Sequence, residues 1–183
     1  MISVTKLLFS TEYFGDSLRY RHGSKNAKNG VAEGTGPVVV WNSTRTCNLT
    51  CRHCYMSSDA KKYEGELNTA EAKRFIDDLA EFKVPVLLFS GGEPLLRPDF
   101  FELAQYAADK GIRPTLSTNG TLITAEVAQK IKDIGVGYVG ISLDGLADVN
   151  DKFRGKEGAF ELAMAGIKNC VAVGQRVGLR FTI

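Results

Sequence analysis

From Pro37 onward, apolar runs alternate with stretches in which apolar residues recur every three or four positions. The runs cover 38–41, 84–90, 112–117, 136–143 and 177–183 and read as strands. The stretches between them, at about 69–83, 98–110, 124–134 and 157–173, read as helices. In the first helix Ala72, Phe75, Ile76, Leu79 and Phe82 form one stripe suited to burial. Asn68 or Thr69 can cap it, with Glu71 in its opening turn. Pro98 suits the opening turn of the second helix, where a missing N–H is no loss. Gly111, Gly135 and Gly174 each follow a helical stretch, where a left-handed residue is wanted.

Alternation of near-continuous apolar strands with helices predicts an α/β fold, a parallel sheet covered by helices. A doubly wound open sheet and a (β/α) barrel both fit. Polar residues favour the barrel, because they recur two apart near the carboxyl ends of strands: Asn42 and Thr44, Thr115 and Ser117, Ser142 and Asp144, Arg180 and Thr182. Side chains two apart share a face, so each strand can aim its polar pair into one lumen while Ile141, Leu143, Leu179 and Phe181 face the helices. The alternative is that Asn119, Ser142 and Asp144 are turn and cap residues. Five strands cannot close a barrel, so the expectation is a partial one, truncated before completion, with the native C-terminal region absent. Its last strand would be an unpaired edge, and the fragment alone is expected to be poorly soluble or oligomeric.

The chain has 183 residues, 44% hydrophobic and 24% charged, as in ordinary globular domains. Residues 15–37, rich in Gly, Asn, Ser and Lys, read as a loop-like lead-in ordered by a partner or substrate. The domain boundaries are therefore 1–36 for the lead-in and 37–183 for the core. A net charge of +2 gives no ground for nucleic acid or an acidic membrane as partner. Nothing approaches the roughly 20 apolar residues of a membrane span, and the amino-terminal residues do not read as a signal peptide. Three cysteines within eight residues are no secreted disulfide framework, so the expected location is cytoplasmic.

Those three, Cys47, Cys51 and Cys54, have the spacing C-x3-C-x2-C directly after the first strand. One loop can thus hold three corners of an iron–sulfur cube and leave one iron open to chemistry. Zinc would need a fourth ligand, to be sought in His53 or His22. A redox pair at Cys51 and Cys54 would leave Cys47 unexplained. Cys170, beside Ile167 and Val171, reads as a buried packing residue. Ser90-Gly91-Gly92-Glu93-Pro94 follows the second strand, where glycines let backbone approach a ligand and a carboxylate suits a cationic amino group.

The cysteine spacing after the first strand of a parallel α/β chain resembles the radical S-adenosylmethionine (SAM) superfamily. The resemblance implies a [4Fe–4S] cluster on Cys47, Cys51 and Cys54 whose fourth iron chelates SAM. One-electron reduction of the sulfonium then gives a 5′-deoxyadenosyl radical, so no catalytic side chain is needed beyond cluster and cofactor. It implies SAM contacts at Tyr55, at Gly91, Gly92 and Glu93, at Ser117 and Asn119, and at Ser142 and Asp144. Arg180 would meet the SAM carboxylate or form a barrel-lining salt bridge. The position before the third cysteine is usually aromatic in the superfamily and is His53 here.

PVVVWNSTRTCNLTCRHCY, FSGGEPLLRPDFFELA, LSTNGT, SLDG and DKFRGKEGAFELAMAGI resemble enzymes of haem d1 biosynthesis and of the sirohaem-dependent haem pathway, including didecarboxysirohaem deacetylase. That implies radical removal of acetate side chains from a modified tetrapyrrole, a low-potential electron donor, and a second [4Fe–4S] cluster in the C-terminal region that follows in such relatives. Arg19, Arg21, Lys25 and Lys28, spaced without acids, are candidates for the substrate's carboxylates. Some of these motifs also occur in peptide-maturation relatives that form thioethers or crosslinks. An iron–sulfur scaffold or electron carrier is the alternative from another class, and the GGEP and SLDG loops argue against it.

Overall fold

The computed structural model describes residues 36–181, so Arg19, Arg21, Lys25, Lys28 and His22 lie outside the described residues. Five strands, β1 (Val39–Thr44), β2 (Val86–Gly91), β3 (Arg113–Thr118), β4 (Val139–Ser142) and β5 (Val177–Arg180), form one parallel sheet in the order β1-β2-β3-β4-β5. Each strand lies beside its predecessor. A doubly wound sheet reverses that order at a switch point, and no reversal occurs here. The progression is that of a barrel wall, with β1 and β5 as the open edges.

Among the described residues, helices α1 (Thr69–Glu81), α2 (Phe100–Asp109), α3 (Ala125–Ile134), α4 (Ala147–Arg154) and α5 (Ala159–Ala172) and a short 3-10 turn at Pro94–Leu96 accompany the strands. Leu87, Phe89, Leu116, Val139 and Ile141 from the strands meet Ile76, Leu103 and Ile131 from the helices in one core. Each such side chain contributes about 1.5–3 kcal/mol when fully buried. The opposite face of the sheet is open, with Val40 and Asn42 of β1 exposed on it. Among the described residues no helix is long and apolar enough to cross a membrane.

The local signals mostly act as expected. Asn68 caps α1 by accepting from the Glu71 N–H at 3.0 Å, while the Glu71 carboxylate accepts from the Asn68 N–H at 2.9 Å. Asn68→Ala is expected to cost about 1 kcal/mol in chemical unfolding, the usual value of such a cap. Gly111, Gly135 and Gly174 all have positive φ after their helices. Four expectations are corrected. Phe82 is exposed, because α1 ends at Glu81 and its stripe stops with Leu79. Pro98 precedes α2 rather than opening it, since Asp99 is the N-cap. Leu179 is exposed at the edge, and Phe181 lines a cavity, the alternation having ended with β5 at Arg180. Helix α4 has no counterpart among the predicted elements. Its periodic apolar residues Val149 and Phe153 face outward, and it buries Asn150 and Arg154 instead.

The stretch after the glycines owes part of its sequence to a structural hub. The buried Arg97 guanidinium donates to the carbonyls of Ser43 and Leu67 at 2.8 and 2.7 Å and pairs with Asp99 at 2.7 Å. It also lies over the Trp41 ring. One side chain thus ties the end of β1 to the start of α2, beneath the loop that carries the cysteines.

Candidate metal centre

All five strands end on the same rim, and the connection from β1 to α1 folds over it. Three backbone links shape that connection around the cysteines. The Cys47 N–H donates to the Asp59 carbonyl at 2.8 Å, the Thr50 N–H to Arg154 at 3.2 Å, and the Arg52 N–H to Phe153 at 2.9 Å. The last two grip the chain on either side of Cys51 with the final turn of α4. Gly155 ends that helix at φ +67°, and a Cβ there would run into the Thr50 carbonyl. Leu49 and Ala159 pack against Cys47.

Cys47, Cys51 and Cys54 are all unpaired as disulfides and all line one open cavity of about 300 Å³. Each sulfur lies near an N–H. Leu49 N–H and the Asn119 side-chain amide approach Cys47 at 3.5 and 3.9 Å, Arg154 approaches Cys51 at 3.7 Å, and Ser58 N–H approaches Cys54 at 3.4 Å. Such donors stabilise sulfur that carries negative charge, as metal-bound thiolate does. Burial pushes the Cys47 thiol up to about 11, with the nearby Glu93 charge adding to it. Burial also works against ionising Cys54, yet the backbone N–H groups of Ser58, Met56 and Ser57 draw that thiol below its ordinary value.

Most of the other residues singled out in the sequence converge on the same cavity. Gly91, Gly92, Ser117, Asn119, Ser142, Tyr55 and Arg180 line it, and Arg180 donates to the Ser117 hydroxyl. Tyr55 stands exposed at the mouth, with its hydroxyl donating to Asn42 at 3.1 Å. The glycines serve a close approach, but to protein. A Cβ on Gly91 would strike the Thr44 carbonyl, and one on Gly92 would strike those of Arg45 and Thr46. The pairing of β1 with β2 shifts register between Asn42 and Thr44, beside that close approach.

Two residues take other places. Glu93 is fully buried beneath the cavity. Its carboxylate accepts from the Thr118 hydroxyl at 2.8 Å, the Asn119 N–H at 2.9 Å and the Leu95 N–H at 3.1 Å. It clamps the β2 loop to the end of β3 rather than presenting an oxygen to the lumen. Asp144 is buried too, paired with Arg154 at 2.5 Å and with His53 Nε2 at 3.2 Å. His53 also meets Phe153 edge-on. Arg154 also lines the cavity without being singled out in the sequence, as do Ser58 and Thr118. The signal for Arg154 was a basic position four residues after Asn150 on a helix whose apolar Val149 and Phe153 stand exposed.

The residues present fit an iron–sulfur cluster: three cysteines line one cavity, and each sulfur has an N–H donor beside it. The chain is 52% identical over 186 aligned positions to the Fe-coproporphyrin III synthase of Methanosarcina barkeri, covering 100% of this chain and 47% of that relative. It is 51% identical over 154 positions to the pre-heme d1 synthase of Dinoroseobacter shibae, covering 84% and 38%. The chain thus spans less than half the length of either relative. In fold it resembles native anSMEcpe with bound AdoMet, at a TM-score of 0.67 and 22% identity over 78% of this chain and 42% of that one. Residues 41–183 match the model of the radical SAM superfamily, and on that match, together with these relatives, the chain belongs to that superfamily.

Proposed function

We propose that Cys47, Cys51 and Cys54 hold a [4Fe–4S] cluster, that SAM binds in the adjoining cavity, and that the protein initiates radical removal of acetate side chains from a modified tetrapyrrole such as didecarboxysirohaem. The single observation that carries the reading is the convergence of the cysteine triad, the double glycine and the polar strand ends on one cavity. When bound, the cluster supplies the electron that cleaves SAM, drawn from a low-potential donor. The chain's own residues bind and orient. Ser142 and the Arg180 guanidinium offer donors to a carboxylate, for which the planar guanidinium fork is well shaped. Asn119 is fixed for its contact with Cys47 by its hydrogen bond to Asn48 Oδ1 at 2.9 Å. Gly91 and Gly92 keep the β2 loop against β1, which leaves the lumen clear. The tetrapyrrole assignment draws support from the two haem-related relatives and from the motifs shared with that group of enzymes.

Anaerobic reconstitution followed by reduction tests the first part. Addition of SAM is expected to perturb the EPR signal of the reduced cluster, whereas an electron carrier would show the same spectrum with and without it. Offering didecarboxysirohaem and a candidate precursor peptide in parallel, with 5′-deoxyadenosine and product mass as readouts, tests the second. Turnover is expected with the tetrapyrrole. Turnover with the peptide alone would reassign the substrate and leave the cluster chemistry standing.

A further inference from the structure

Arg154 is held in a way that a simple binding residue does not require. It sits at the end of α4, where its own carbonyl and that of Phe153 receive the N–H groups flanking Cys51. Its side chain is one-tenth exposed, and its two terminal nitrogens are committed to different tasks. Nη2 pairs with the buried Asp144 carboxylate at 2.5 Å, and Nη1 points to the Cys51 sulfur at 3.7 Å. Asp144 is itself fixed, its N–H donating to Asn150 Oδ1 at 3.0 Å and its carboxylate also meeting His53. A guanidinium is always charged, and its planar fork lets one group serve two partners at fixed angles. The result is a permanent cation braced against one sulfur of the triad, with a buried anion on its far side.

Resting on the cluster assignment above, we propose that Arg154 is the positioning residue that sets the cluster's reduction potential through Cys51, and that Asp144 trims its effect. Reduction adds one negative charge to the cluster and its sulfurs. A cation and an N–H donor at a sulfur stabilise that charge and raise the potential, while an anion behind the cation lowers it. The local dielectric is low at so buried a pair, so neither charge is screened as it would be on the surface.

The test is an EPR-monitored potentiometric titration of the reconstituted holoprotein without SAM, so that cofactor contacts do not enter. Arg154→Gln is expected to lower the midpoint. At the wild-type midpoint its ratio of reduced to oxidised cluster falls about tenfold, which is 59 mV for a one-electron couple. Arg154→Lys keeps the charge but not the fork, and falls between the two. Asp144→Asn shifts the midpoint the other way. Full iron content with an unmoved midpoint in Arg154→Gln overturns the assignment. Should Arg154→Gln hold no cluster, Asp144→Asn decides: a raised midpoint supports the proposal, and an unmoved or lowered one overturns it. A wild-type protein without a four-iron cluster would instead sink the reading on which the proposal rests.

Discussion

Cys51→Ser is expected to bring 5′-deoxyadenosine formation below detection and to leave the reconstituted protein short of a full complement of iron and sulfide. The loss is chemical rather than structural. Cys51 is pinned through the backbone of its neighbours, Thr50 and Arg52, which donate to the last turn of α4 whatever side chain stands between them. Thermal unfolding of the apo protein should therefore change little. Sulfur is the ligand that iron–sulfur chemistry needs, whereas a serine hydroxyl stays protonated and offers a poor substitute. Cys170 provides the contrast. It is fully buried in α5 within the hydrophobic core and is not among the residues that line the cavity, so Cys170→Ala is expected to keep full iron and SAM cleavage. Equal iron loss in both variants would mean that reconstitution reports general damage. A Cys51→Ser protein with four irons and normal SAM cleavage would contradict the placement of the cluster.

The difference between those two cysteines was legible in the sequence, and so was much of the fold. Strand runs and helix stripes have the periods of what they bury, and Leu87, Phe89, Leu116 and Ile141 fall on the helix face as their spacing requires. The barrel reading survived because polar alternation at the strand ends encodes a lumen, and Ser117, Ser142 and Arg180 do line one. What stayed hidden was buried polarity. Periodicity reports which residues avoid water, and α4 inverts that rule by burying Asn150 and Arg154 with Val149 and Phe153 left exposed. Without α4 in view, the partner of Asp144 and the clamp on Cys51 could not be found. Glu93 illustrates the same limit. A carboxylate beside two glycines suggests a ligand contact, and only the geometry shows three donors converging on it from the protein itself.

Glu93→Ala is accordingly expected to destabilise the apo protein by at least about 3 kcal/mol, since three buried donors lose their acceptor at about 1–3 kcal/mol each and a void opens beside them. Cluster binding should fail with it, because the Thr118–Asn119 segment that reaches Cys47 is anchored there. Glu93→Gln separates shape from charge. Its amide fills the site but turns a donor toward the Asn119 N–H, so its loss is smaller than that of Glu93→Ala and is greatest at low pH. Burial raises the Glu93 carboxyl from an ordinary 4.5 to about 6 in the folded chain. The native state therefore holds that proton more tightly than the unfolded one. Its contribution is fully present below about pH 4.5 and is lost as pH rises through about 6, a change of about 2 kcal/mol. The glutamine variant has no such proton, so its stability relative to wild type should improve by about that amount across the same window. Denaturant unfolding of both apo proteins at a series of pH values measures the difference directly. Parallel curves would show that Glu93 ionises in the folded chain as easily as in water, and the buried clamp would then have to be open to solvent.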